Sequence, residues 1–488
     1  MTPVDDQPTP QLRRIGSAAS WMVGAQGLSQ ILNIASLAVL GAVLPPDAFG
    51  TAAAALLVVN VLSQVAGAGV RGSVITRSTL DPRTVRRLTA ATAGAGLAAS
   101  ALIVVGAPWL VRMLAKSGDV AVFRAFGPSV ALWSITVLPV ALLERAFLFR
   151  RLSAIHAGAS LLATVAALGA LACGLGIWAL PIRELTRHAT TAAAAWRSAR
   201  PVITERTGWS RPGEVGNHGR WFLLLAISQF AGLNIDYLLV GRMTDARQLG
   251  LYAFAFNIAF LPLRQISYQL GAVLFSAAAA TSDHDDRVRQ LTAAFRVSVL
   301  LLCPLVPVGA ALAPSLVPRL LGEEWQPMVL PLQLLIGVGV AHAIANVVGE
   351  QLAAGGHIEI RSKLTAGWAL VLGVVLAVLV HRFGIDGAAL GHVVTTAPFV
   401  VLYVVGGCRL LGLDHEAFGA LWRGIGWPLA AQAVATTGVA VLADTASPAG
   451  GVLAAGTGLV VLAVALRTSR TPAVGELRRL LRTGRSPL

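Results

Sequence analysis

The residues of this chain that could do chemistry lie inside long apolar stretches, and their spacing is helical. Gln26, Gln30 and Asn33 fall at i, i+4 and i+7, Asn60 and Gln64 at i and i+4, and Gln229 and Asp236 at i and i+7, so each set shares one helix face. Asn257, Arg264 and Tyr268 form a further stripe beside Pro262, a residue able to kink a helix. His342, Asn346 and Glu350 recur every four residues; they could relay a proton or bind a cation, or they could be a packing face whose Glu350 end reaches water. An Arg or Asp at the centre of a bilayer costs roughly 2.5–3.5 kcal/mol on insertion scales, so these groups must face protein or a water-filled space. For the Asn and Gln residues two roles stay open: lining a hydrophilic cavity, or interhelical hydrogen bonding worth about 0.6 kcal/mol per contact. Arg264 likewise meets either a bound anion or the carboxylate of Asp236.

Other chemistries find no footing. There is no G-x-x-x-x-G-K-[ST], H-E-x-x-H or G-x-S-x-G, which argues against ATP hydrolysis, zinc-protease and serine-hydrolase chemistry. Cys173, Cys303 and Cys408 form no C-x-x-C pair and sit in or beside apolar segments, so neither a disulfide, a metal site nor another cofactor is expected. The run Asp283-His284-Asp285-Asp286 has the acidity of sugar-transferase metal motifs, but in a short connector it reads as a solvated turn.

The elements that must position these residues follow from composition. With 56% hydrophobic and 12% charged residues and a mean hydropathy of +0.72, the chain departs from soluble proteins, in which about a quarter of residues are charged. A helix needs about 20 apolar residues to cross a hydrocarbon core of about 30 Å, and stretches of that length follow one another between short charged connectors. No period-2 alternation points to a barrel. The pattern predicts spans at 17–44, 48–70, 88–110, 125–143, 154–180, 181–198, 220–241, 249–275, 292–314, 329–353, 364–381, 385–408, 420–443 and 449–466. The sixth is the most polar, with Arg183, Glu184, Arg187 and His188 crowding its start. The first is too long for a signal-peptide core and is expected to remain as a helix.

The net charge of +15 would suggest nucleic acid in a soluble protein, but here the basic residues collect in alternate connectors. With a cytoplasmic N-terminus, 27 Lys and Arg lie in inside segments, 9 in outside connectors, and Arg264 and Arg296 within spans. Both termini are therefore expected in the cytoplasm, with no nucleic-acid partner. A repeat of about 200 residues pairs Trp21 with Trp221, Leu28-Ser29-Gln30 with Ile227-Ser228-Gln229, Asn33-Ile34 with Asn234-Ile235, and Phe49-Gly50 with Leu249-Gly250. The expected organisation is an all-α integral membrane protein of about fourteen transmembrane helices: two six-helix lobes related by a parallel internal repeat, plus two C-terminal helices. Its parts are a tail (1–12), a first lobe (13–200), a linker (201–219), a second lobe (220–411), two added helices (412–466) and a basic tail (467–488).

The stretch from Asn234 to Arg242, with Leu249-Gly250-Leu251-Tyr252-Ala253 and Pro262-Leu263-Arg264-Gln265-Ile266-Ser267-Tyr268, resembles the central segment of Wzx-type polysaccharide flippases of the polysaccharide transporter family. That resemblance covers roughly residues 13 to 466. It implies the fold of the multidrug/oligosaccharidyl-lipid/polysaccharide exporter superfamily, a central cavity of alternating access, and a polyprenyl-diphosphate-linked oligosaccharide carried across a bacterial inner membrane for exopolysaccharide or surface-glycan synthesis. Membrane lipids and a polysaccharide polymerase or export machinery are the partners it brings into view. With that cargo, Arg264 would meet the diphosphate, Asn257, Tyr268, Gln30, Asn33, Gln64 and Gln229 would line its path, and Arg71 or Arg145 would assist entry at the cytoplasmic mouth. Asp236, then Glu350 and His342, are the candidates for ion coupling. A drug or cation antiporter of the same fold is the first alternative, and a membrane glycosyltransferase or polymerase the second. The short outside connectors leave no room for an extracytoplasmic catalytic domain, which weighs against an enzyme.

Overall fold

The computed structural model describes residues 35–67, 82–116, 118–146, 148–204, 219–261, 284–412 and 425–468, with the single residues Leu32, Ser267, Gly419 and Trp422. Every regular element among them is helical. Nine of these helical stretches are long and apolar enough to cross a bilayer, and Gly426–Leu442 is a shorter apolar helix. The chain divides into two compact units, one of 1–44, 55–112 and 119–214, the other of 45–54, 113–118 and 215–488.

The first unit takes most of α1 (Pro46–Gly67) and α2 (Pro82–Leu114), then α3 (Val120–Phe126), α4 (Pro128–Arg145), α5 (Phe149–Ala172) and α6 (Ala179–Thr204). Asp119 starts α3 by accepting from the amides of Ala121 (2.7 Å) and Val122 (3.3 Å), and Pro128 starts α4 where its missing N–H costs nothing. Between apolar helices in lipid, close van der Waals packing replaces the hydrophobic effect, and small residues permit it. Ala141, Ala195 and Ala199 accordingly bring α4 and α6 together beside Leu138, Leu142 and Leu152, and the Trp196 indole donates to Ile135 O at 2.9 Å.

The polar sixth segment is the body of α6, a 26-residue helix. Its Glu184 is buried and accepts from Arg187 Nη2 at 2.5 Å and Nε at 3.2 Å, with Arg183 Nη1 and His188 Nε2 each 3.6 Å away. Mutual neutralisation on adjacent turns lets the charges turn inward while Ala192, Ala195 and Ala199 supply the apolar contact. This helix is not among the nine stretches apolar enough to span.

In the second unit the expected seventh span is broken. It forms α7 (Gly219–Gly232) and α8 (Ile235–Met243), separated at Leu233 and Asn234, whose side chain bonds back to Phe230 O at 2.7 Å. Asp245 caps α9 (Ala246–Ala259) by accepting from Gln248 N at 2.8 Å. The span predicted at 292–314 is likewise two helices, α10 (His284–Leu302) and α11 (Leu305–Leu321), because Pro304 lacks the amide a continuous helix requires. Prediction and structure nearly coincide for α12 (Val329–Ala354).

The spans expected at 364–381 and 385–408 are two antiparallel arms of α13 (Ile358–Leu410), which as one straight 53-residue helix would measure about 80 Å, more than twice the core thickness. Gly384, at φ 58° and ψ −132°, makes the reversal in a region that other residues rarely adopt. α14 (Gly426–Leu442) and α15 (Pro448–Thr468) follow, in contact with each other and with α11.

The start of α1 packs reciprocally on the start of α9. A Cβ on Gly50 would stand 1.6 Å from Ala246 O, and one on Gly250 would stand 1.7 Å from Pro46 O. Phe49 fills the neighbouring space, edge-on to Phe254 and Trp325 at 5.3 Å each, with Trp325 fully buried.

Candidate functional site

The break between α7 and α8 sets Asp236 in the first turn of a new helix rather than one face of a continuous one. Its carboxylate is fully buried. Tyr252 of α9 donates to Oδ2 at 2.6 Å, His392 Nε2 of α13 lies 3.3 Å from the same oxygen, and the Tyr237 amide donates to Oδ1 at 2.9 Å. Tyr252 and His392 are also fully buried, with Phe256 and Phe260 against the imidazole at 5.7 and 6.3 Å. The partial positive charge at the start of α8 complements the carboxylate, as half-helix ends do for ions in carriers.

A second polar centre lies in the same unit. The Arg361 guanidinium, 4% exposed, donates through Nη2 to Glu350 Oε1 at 2.9 Å and to Asn346 Oδ1 at 3.3 Å. Asn346 Nδ2 donates to Ser267 Oγ at 3.2 Å, and Ser267 Oγ donates to Ala343 O at 2.6 Å. A cavity of about 60 Å³ opens beside them, its wall including Gln229, His342, Asn346, Arg361, Trp368 and Tyr403. His342 stands between the two centres. Its ring meets Trp368 at 4.8 Å and Phe260 at 5.9 Å, and Thr396 Oγ1 is 3.3 Å from Nε2.

The four-residue period of His342, Asn346 and Glu350 therefore gathers one site. Gln229 joins it and not Asp236, which corrects the shared stripe expected for those two: the interruption at Leu233 and Asn234 ends the common register. Asn257 donates to Tyr237 Oη at 3.3 Å and to Ala253 O at 2.8 Å, while Asn60 and Gln64 lie exposed on α1. Arg145 is the last residue of α4. Gln26, Gln30, Asn33, Arg71, Arg264 and Tyr268 lie outside the described residues. Sequence reasoning missed His392, Tyr252, Arg361 and Trp368. A signal was there for three of them: Arg361, Thr365 and Trp368 follow the i, i+4, i+7 rule, as do His392, Thr396 and Phe399.

Solved structures with the same architecture are membrane carriers. The lipid II flippase MurJ in its inward closed conformation superposes with a TM-score of 0.70 over 91% of this chain and 97% of that chain, at 11% identity. An inward-facing multidrug resistance MATE family transporter of the MOP superfamily gives 0.59 over 80% and 98%, at 14%. The chain thus shares the fold of these two carriers, and it is a multi-pass membrane protein. Among sequence relatives, the lipopolysaccharide biosynthesis protein WzxC of Escherichia coli K12 is 23% identical over 359 residues, 71% of each chain. The succinoglycan biosynthesis transport protein ExoT of Rhizobium meliloti is 22% identical over 417 residues, 85% of this chain and 82% of that one. The family described as polysaccharide biosynthesis protein matches residues 39–330, more than half of the 488, and the chain belongs to it.

Proposed function

We propose that this protein is a secondary carrier that flips a polyprenyl-diphosphate-linked oligosaccharide across a bacterial inner membrane for exopolysaccharide or surface-glycan synthesis. The observation that carries this reading is the membership of residues 39–330 in a polysaccharide biosynthesis family on a fold shared with a lipid II flippase. The cargo's diphosphate meets Arg264, whose guanidinium offers paired donors to phosphate oxygens. Asn257, Tyr268, Gln30, Asn33, Gln64 and Gln229 line its path, with Arg71 or Arg145 at the entrance. Coupling to an ion runs through Asp236, with Glu350 and His342 as the second centre. The chain makes fourteen crossings with both ends cytoplasmic. Its two six-helix lobes, 13–200 and 220–411, are parallel repeats, a reading supported by the reciprocal packing of Gly50 and Gly250 at matching repeat positions. A polymerase or export complex receives the product.

Transport needs no ATP, since the sequence carries no phosphate-binding loop. Inverted vesicles containing the pure protein should translocate a diphosphate-linked oligosaccharide without nucleotide. Vesicles that exchange a cationic drug for protons but leave the lipid-linked saccharide in place would replace this reading with the antiporter.

A further inference from the structure

The cavity in the second unit has two buried donors on its wall that lack partners. Arg361 uses Nη2 on Glu350 and Asn346, but its Nε has no partner, and neither does Nε1 of Trp368, a residue 7% exposed. A buried N–H without an acceptor is destabilising, so two on one small cavity call for an occupant that accepts hydrogen bonds. Gly349 lets Arg361 and Tyr403 approach the backbone of α12 closely: a Cβ there would stand 3.0 Å from Arg361 Nε and 2.5 Å from Tyr403 Oη.

Size and charge narrow the occupant. The space is about 60 Å³, ample for a water or a single ion, and well below the roughly 300–1,000 Å³ that enclose a drug-sized ligand. A sugar or a diphosphate headgroup is therefore excluded. Among the described residues, Arg361 is the one charged side chain on the cavity wall, which disfavours a cation. The Glu350 carboxylate is held by Arg361 Nη2 and does not occupy Nε, on whose side of the guanidinium the Tyr403 hydroxyl also lies. We infer that this cavity binds a monatomic anion of the halide class, held by Arg361 Nε and Trp368 Nε1. The site rests on the cavity's geometry and is independent of what the protein carries.

The test uses the purified full-length protein, with sodium chloride or bromide compared against sodium gluconate at equal ionic strength. Halide should raise the thermal unfolding midpoint saturably, and crystals soaked in bromide should show an anomalous peak within hydrogen-bond reach of Arg361 Nε and Trp368 Nε1. Trp368→Phe keeps the ring against His342 and Phe399 and removes the indole donor, so it should weaken halide binding about tenfold. Equal stabilisation by gluconate, an ordered water without an anomalous signal, or undiminished halide affinity in Trp368→Phe would each overturn the inference. Because binding is read directly, halide binding with no saccharide transport would defeat only the flipping proposal, and transport without halide binding only this one.

Discussion

Replacing Asp236 separates its structural weight from the coupling role proposed for it. Asp236→Ala would strip partners from two fully buried side chains, Tyr252 and His392. Leaving each unsatisfied costs about 1–3 kcal/mol, so the variant should lose about 3–5 kcal/mol, enough to compromise folding. Asp236→Asn keeps the volume and an oxygen that accepts from Tyr252. Its NH2 replaces Oδ1 and cannot accept from the Tyr237 amide, so it loses that hydrogen bond as well as the charge assistance, about 1–3 kcal/mol, less than the alanine variant, and should insert and fold. In proteoliposomes an imposed potential of about 100 mV supplies about 2.3 kcal/mol per coupled charge, which sustains close to a 50-fold accumulation of cargo. The native protein should approach that ratio. Asp236→Asn should equilibrate cargo without accumulating it. If Asp236→Asn concentrates cargo as the native protein does, the carboxylate is not the coupling group and its hydrogen bonds serve only to hold α8, α9 and α13 together.

Gly250→Leu should lower the thermal unfolding midpoint in detergent, because even its Cβ would sit 1.7 Å from Pro46 O and overpacking costs about 1–3 kcal/mol or more; a native-like midpoint would show that the α1 to α9 contact does not persist. Arg264→Ala should abolish glycan export in a complementation assay while the protein still reaches the membrane, and Arg264→Lys should keep part of the activity because charge survives without the fork. Normal export by Arg264→Ala, or rescue of a misfolded Arg264→Ala by Asp236→Ala, would exclude the diphosphate role. A cysteine at Ser210 should react with an impermeant reagent only from the cytoplasmic side, as the basic connectors around it require. Reaction from outside intact cells would remove the sixth crossing.

The elements were legible where a single physical rule decides them. α12 was placed within a residue at each end because its largely apolar run, in which the polar residues are few and mostly at helical spacing, is preceded by Glu323 and Glu324 and followed by Gly355 and Gly356. The two arms of α13 were separated at Gly384, where the polar pair His381 and Arg382 interrupts the hydropathy. The break before Asp236 was not foreseen, since Leu233 and Asn234 carry no proline and their hydropathy blends into the flanks. Within the site, periodicity found the face of His342, Asn346 and Glu350 but not what faces it. Spacing reports neighbours along one helix, whereas His392 is 156 residues from Asp236 and Arg361 comes from the element after Glu350. The breadth of the polar stripes on the first and eighth spans gave no such check, because most of their members lie outside the described residues.

The reversal at Gly384 explains why the two polar centres belong to one structure. It folds α13 back on itself so closely that a Cβ on Gly387 would stand 2.0 Å from Leu379 O. Trp368 on the first arm and Phe399 on the second, nearly equidistant from the turn, are thereby brought to 5.5 Å. The first arm carries Arg361 and its bond to Glu350; the second carries His392 and its contact with Asp236. His342, from α12, touches both arms, Trp368 on one and Thr396 and Phe399 on the other. A rearrangement around Asp236 that moves His392 must move Thr396 one turn along the same arm, and through His342 it reaches the ring of Trp368 beside Arg361. Close-packed rings do not absorb a displacement gradually, so a path for coupling between the Asp236 carboxylate and the Arg361 guanidinium would run through these few packed side chains.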